Sequence, residues 1–209
     1  MTPEAPGVRS IDPDAVDGRT RYQLLTSLVV PRPIGWISTF GPDGVPNLAP
    51  FSYFAALSAS PMQVGVSIGH RREGPKDTLC NVRARPAFCV NVVGEPFLER
   101  MNATSADVPP DVDEFRLAGL DMARSEVVDA PFVADCPAVL ECRVVQEVEL
   151  GAAPNTLVIG RVVSVRLGPD LPFEDGTSAV DPRVLRPVGR LWGASYALPG
   201  PVRVIPRPE

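Results

Sequence analysis

Two long runs of alternating side chains late in the chain constrain its fold more than any other feature. In Val139 to Leu150, Leu140, Cys142 and Val144 share one face and Glu141 and Arg143 the other, with a change of phase at Val144-Val145. In Thr156 to Leu167, Leu157, Ile159, Val163 and Val165 share a face interrupted by Arg161, with Val158 and Val162 opposite. A period of two belongs to strands, and a one-residue slip of phase is what a β-bulge produces. Gly151-Ala152-Ala153-Pro154-Asn155 joins the two runs, which predicts an antiparallel pair.

Earlier segments agree. Ile34 to Phe40 is rich in β-branched and aromatic residues and stops at Gly41-Pro42-Asp43-Gly44, a hairpin signal, with a partner strand from Val45. In that partner, Pro50 is expected to interrupt the ladder or lie on an edge. Met62 to Gly69 and Ala87 to Val93 read as buried strands flanking a helix from Lys76 to about Arg85. A short helix is expected from Arg19 to the Pro31-Arg32-Pro33 stop, and another over Glu95 to Ala103. Residues 105–137, with Pro109, Pro110, Pro131 and Pro137, read as a long irregular excursion of the kind that serves function or partner contact. Together these predict a mainly β fold, an antiparallel barrel with a few short peripheral helices, in preference to a doubly wound parallel sheet. Residues 1–18 read as an N-terminal arm, 19–198 as one domain and 199–209 as a C-terminal tail.

A net charge of -5 provides no basic field for a nucleic acid. No run approaches the roughly 20 apolar residues of a membrane span, and the start of the chain lacks a signal pattern. A cytoplasmic protein is the expectation. His70 is the single histidine, and Cys80, Cys89, Cys136 and Cys142 match no zinc spacing, so no metal site is expected and the thiols are read as small core residues.

One catalytic pattern fails on context. Gly65-Val66-Ser67-Ile68-Gly69 has the spacing of a serine hydrolase elbow, but that turn leads from strand to helix, whereas Ser67 sits inside an extended apolar run. The single histidine, three residues away, is also in the wrong chain order. Neither a P-loop nor a dinucleotide glycine fingerprint is present.

Two segments remain. In Gly74-Pro75-Lys76-Asp77-Thr78-Leu79 a glycine-proline entry leads into a helix start, where free N–H groups, a lysine and a threonine hydroxyl favour an anion, with Arg71 and Arg72 nearby. The plainer reading is that Asp77 or Thr78 merely caps the helix. Asn47-Leu48-Ala49-Pro50-Phe51-Ser52-Tyr53-Phe54 sets a strand-breaking proline among aromatic residues, and with Ser38, Thr39 and Ser52 offers what a planar, heteroatom-rimmed ring needs. Its plainer reading is ordinary core.

Taken together, Arg32-Pro-Ile-Gly-Trp-Ile-Ser-Thr39, Asn47 to Phe54 and Lys76-Asp-Thr-Leu79 resemble, in order and spacing, the flavin reductase-like, FMN-binding split-barrel family, over roughly residues 20–190. The resemblance implies a homodimeric split barrel binding FMN near the dimer interface. It implies that Ser38, Thr39, Asn47, Ala49, Pro50, Phe51 and Ser52 surround the ring and ribityl chain, with Arg32 and Trp36 beside them. Lys76, Asp77 and Thr78 would meet the phosphate, helped by an arginine from the 70–72 loop such as Arg71. Gly189 to Tyr196 resembles a glycine-rich, tyrosine-containing stretch of the family, where Trp192 departs from the expected glycine and bears on the space left for a second substrate. The implied activity is an FMN-dependent oxidoreductase passing hydride or electrons from NADH or NADPH to a flavin or small-molecule acceptor, or to a partner monooxygenase. A non-catalytic flavin-binding electron carrier is the alternative from another class, and a ligand-free structural dimer a third.

Overall fold

The computed structural model describes residues 9–71, 74–151 and 155–208. Residues 1–8 of the N-terminal arm, Arg72 and the centre of the 151–155 connection therefore lie outside the described residues.

Seven antiparallel strands form the main sheet: β1 (Gly35–Phe40), β2 (Pro46–Phe51), β3 (Phe54–Ala59), β4 (Met62–Ile68), β5 (Ala87–Val92), β6 (Ala138–Leu150) and β7 (Asn155–Leu167). Their spatial order is β2-β1-β5-β6-β7-β4-β3. The two edge strands are therefore neighbours in sequence, joined only by Ser52 and Tyr53, so the sheet must curl until its edges nearly meet. One apolar cluster receives side chains from every strand: Ile37, Phe51, Val64, Phe88, Cys142 and Val158, with Phe54 packed against it. That convergence marks the barrel interior. Gly35 helps close it, because a Cβ there would stand 2.7 Å from the Phe54 ring of β3.

Helix α1 (Gly18–Leu28) starts where Asp17 accepts the Thr20 N–H and ends before Pro31. Helix α2 (Asp77–Ala84) buries Leu79 and Val82 in the barrel cluster. Helix α3 (Leu98–Ala103) and the excursion cover the other side of the sheet. With α3, the excursion's helix α4 (Glu114–Leu117) and its hairpin Met122–Arg124 with Pro131–Val133 place Met101, Phe115 and Phe132 in a second core with Trp36, Cys89 and Val139. The buried Asn91 holds this layer down, accepting from the Val133 N–H at 2.8 Å and donating to the Ser38 hydroxyl at 3.0 Å.

The expected bulge at Val144-Val145 is present, since the β6/β7 register jumps between Val144 and Gln146. Pro50 meets the second of its two expectations: it lies on an edge strand and pairs with Trp36 within an unbroken register, so the ladder is not interrupted. Glu141 is fully buried, and both carboxylate oxygens lack a partner among the described residues. Alternation placed it correctly opposite Cys142, but its face carries the second core. One expectation needs correction: Cys80 is exposed while the other three thiols are buried, and burial pushes Cys136 and Cys142 up to about 12.

Candidate functional site

The cleft opens where the barrel is split, beside the outer edge of β2. Leu48 sends its N–H outward, to a Glu114 carboxylate oxygen at 3.1 Å. Strand parity turns residues 46 and 50 the same way, and both are prolines with no N–H to offer. The edge is thus shielded from strand pairing, and its outward amide groups present acceptors to the cleft. Donors must come from elsewhere.

At one end they come from α2. Its cap residue, Lys76, makes no side-chain capping bond, so the N–H groups of Asp77 and Thr78 have no partner within the helix. Thr78 accepts from the Asn47 amide at 3.0 Å, which leaves the threonine's own proton for a ligand, and Asn47 also reaches the Thr39 hydroxyl at 3.4 Å. Arg71 is clamped between Asp77 (3.0 Å) and Asp107 (2.9 Å). The Lys76 ammonium lies 5.5 Å from the Phe51 ring centroid and forms no ion pair among the described residues. Burial, then the Arg71 charge, hold its pKa below the ordinary lysine range. These residues border a cavity of about 230 Å³ that Ala49, Thr104, Ser105 and Glu114 also line. Glu114 is 5 % exposed, and burial pushes its carboxyl up to about 6 despite the Leu48 bond.

A second cavity of about 290 Å³ adjoins the first, sharing Pro50, Lys76 and Ser105. Arg32, 7 % exposed, dominates its inner wall. Its guanidinium donates to the carbonyls of Thr26 (2.6 Å), Val29 (2.8 Å) and Leu191 (3.0 Å) and to the Ser52 hydroxyl (3.3 Å). It thereby ties α1 and the C-terminal turn to the split of the barrel. Ser52, having accepted from Arg32, keeps its proton for the cavity. Tyr22, Arg190 and Tyr196 complete the wall, and the Arg190 guanidinium lies 4.6 Å from the Tyr196 ring centroid.

Of the residues singled out by sequence, Arg32, Asn47, Ala49, Pro50, Ser52, Arg71, Lys76, Asp77 and Thr78 line this double cleft. Four do not. Trp36 is buried, donating to the Thr104 hydroxyl at 2.9 Å, and so meets the cleft only through Thr104. Ser38 donates to the Pro131 carbonyl at 2.6 Å, Thr39 accepts from Asn47 and Asn81, and Phe51 packs in the barrel. Sequence reasoning missed Thr104, at the end of α3, and Ser105, Asp107 and Glu114, which the excursion delivers. The capping residue Asp113, which accepts from the Arg116 N–H at 3.2 Å, is the local signal that a helix starts there.

The comparisons with known proteins agree with this fold. Residues 27–181 match the flavin reductase like domain. The chain belongs to the flavin reductase-like family. Its barrel is the split barrel of that family. An uncharacterized protein of Halalkalibacterium halodurans is 38% identical over 203 residues, covering 95% of this chain and 96% of its own. Nitrilotriacetate monooxygenase component B from Bacillus cereus superposes with a TM-score of 0.90 at 31% identity, over 96% of this chain and 100% of its own. The 2-nitrobenzoate 2-nitroreductase of Pseudomonas fluorescens superposes with a TM-score of 0.85 at 28% identity, over 95% and 96%. Among the described residues no helix is long and apolar enough to cross a membrane.

Proposed function

We propose that this flavin reductase-like protein is an FMN-dependent oxidoreductase that holds the flavin across the double cleft. The observation that carries the reading is the continuity of the two cavities through Pro50, Lys76 and Ser105, with an uncapped helix start at one end. The phosphate would sit at that start, on the Asp77 and Thr78 N–H groups, the Thr78 hydroxyl and the Lys76 ammonium. The ring would lie over Pro50 towards Ser52, whose hydroxyl is oriented by Arg32 to donate. The outward carbonyl of Leu48, with Asn47 behind it, suits the hydroxyls of a ribityl chain.

The bound flavin would supply hydride chemistry, taking it from NADH or NADPH and delivering electrons to a flavin or small-molecule acceptor. The chain's own part is to bind, orient and charge-stabilise. Arg32 puts a fixed positive charge beside the ring, where negative charge accumulates on reduction. Nothing in this chemistry asks the protein for a histidine or a carboxylate pair. Likeness to a monooxygenase component B supports a partner monooxygenase as consumer of reduced flavin, and likeness to a nitroreductase supports a retained flavin with its own substrate.

A homodimer is part of the proposal. Leu25, Val29, Tyr53 and Leu57 are all exposed and border an apolar groove of about 330 Å³ that shares Thr26, Arg32 and Ser52 with the ring cavity. A second copy covering that groove would seal the flavin site from the side. The test is steady consumption of NADH or NADPH with FMN supplied, together with sizing of the flavin-loaded protein. Tight flavin without turnover would replace the enzyme with an electron carrier, and a monomer with full flavin affinity would remove the dimer.

A further inference from the structure

The ring-end cavity is bordered by Arg32, Lys76 and Arg190 and, among the described residues, by no carboxylate. None of the three forms an ion pair among the described residues. Arg32 is buried and engaged by three carbonyls, so it is a fixed charge at the back of the cavity. Lys76 is shared with the phosphate end. Arg190 differs from both: it is half-buried and sits on the short strand Gly189–Arg190, paired with Arg32 on one side and Tyr196 on the other, just before the C-terminal turn.

Every partner of Arg190 is neutral. It donates to the Tyr196 hydroxyl and the Gly193 carbonyl, and Tyr196 passes a hydrogen bond to Asn102 at 2.8 Å. Gly193 makes the turn possible with φ of 62°, and Trp192 beside it meets Tyr22 edge-on at 6.2 Å. A guanidinium fixed by stacking and neutral hydrogen bonds keeps its charge uncompensated, ready for a planar anion. Tyr22 and Tyr196 supply aromatic surface in the same wall.

We propose that Arg190, backed by Arg32, is the anchor for an anionic group on the second ligand of this site, with the ligand's planar part against Tyr22 and Tyr196. The anion comes either from a carboxylate on the acceptor or from the pyrophosphate of a nicotinamide nucleotide. The proposal rests on the flavin reading only for what lies beside the second ligand.

Trp192 is one of two tryptophans and stands beside Tyr22 of this wall, while Trp36 is buried in the core and adds a constant background, so a ligand-dependent change in tryptophan emission reports on this wall. The experiment titrates flavin-free and FMN-loaded protein with sodium benzoate, benzamide and inorganic pyrophosphate, in wild type, Arg190→Met and Arg190→Lys. The expected result is saturable benzoate or pyrophosphate binding, weakened about tenfold or more in Arg190→Met and partly recovered in Arg190→Lys. Benzamide, which has no charge, should not distinguish the variants. A response to benzoate that Arg190→Met weakens assigns the anion to the acceptor, and a response to pyrophosphate that Arg190→Met weakens assigns it to the donor. No response to either anion, or equal anion affinity in wild type and Arg190→Met, overturns the assignment. Arg190-dependent anion binding by a protein that never takes up FMN would keep this site and discard the flavin.

Discussion

The two ends of the cleft handle charge in opposite ways. At the α2 end, Arg71 and Lys76 face Asp77, Asp107 and Glu114, yet the acids are engaged: two clamp Arg71 and the third caps the Leu48 N–H. What remains for a ligand is one ammonium and two helix N–H groups, a receptor of the size of a phosphate. At the ring end, Arg32 and Arg190 are satisfied by carbonyls and hydroxyls alone, so positive potential reaches the whole cavity. Counting charges would rank the ring end as the anion site. Accounting for partners shows one end built for a compact anion and the other for charge that develops on, or beside, a ring.

The largest expected effect tests the ring end as a scaffold. Arg32→Met would strand the carbonyls of Thr26, Val29 and Leu191, and should cost about 3 kcal/mol or more of stability, read by urea unfolding. A loss under about 1 kcal/mol would mean that these bonds do not hold the α1 and C-terminal walls together.

Next comes the α2 end. Lys76→Ala should weaken FMN by about 1.5–3 kcal/mol while leaving riboflavin, which has no phosphate, unchanged in a fluorescence titration. Equal losses for both flavins would move Lys76 from the phosphate to the ring.

Glu114 adds a pH dependence of definite sign. Its carboxyl titrates near 6 when folded, above the ordinary 4.5, so its neutral form stabilises the fold at low pH and that contribution is lost as pH rises through about 6. Glu114→Gln should therefore gain stability over wild type above that range, by about 2 kcal/mol at most, and gain nothing below pH 4.5. Matching unfolding curves at pH 5 and pH 8 would sink the burial argument. The same variant should bind FMN more tightly at high pH, since a buried negative charge beside the phosphate is removed.

The smallest effect belongs to Asp107, whose side chain is 83% exposed. Asp107→Asn should release Arg71 towards the cavity and tighten FMN by less than about 1 kcal/mol. A large effect would mean that this surface pair is far less screened than its exposure implies.

Much of this architecture was legible in the sequence, for identifiable reasons. The bulge at Val144-Val145 showed because one inserted residue flips every later side chain to the other face. The α2 start showed because glycine, proline and a helix N-terminus act locally. The burial of Glu141 was not legible, because alternation reports parity and which face is covered depends on the excursion. Ser38 was read as a flavin donor from its position near the strand motif. Its hydroxyl instead binds Pro131, 93 residues away, a partner no local pattern specifies. The apolar run of β7 was harder to read, since the β6/β7 register jumps a second time, between Glu141/Ser164 and Cys142/Val162, and Val163 and Val165 are exposed while Val158 is fully buried. Glu114 and Arg190 reach the cleft by tertiary routes, one through the excursion and one through the short strand before the C-terminal turn.

The central claim is that a phosphate-bearing flavin spans both ends, with its phosphate on α2. Parallel titration of the purified protein with FMN and riboflavin, at low and high ionic strength, tests it most directly. The account predicts that FMN binds more tightly and that the gap narrows as salt screens the Lys76 contribution. Equal affinity for the two flavins at low salt, or binding of neither, would contradict it.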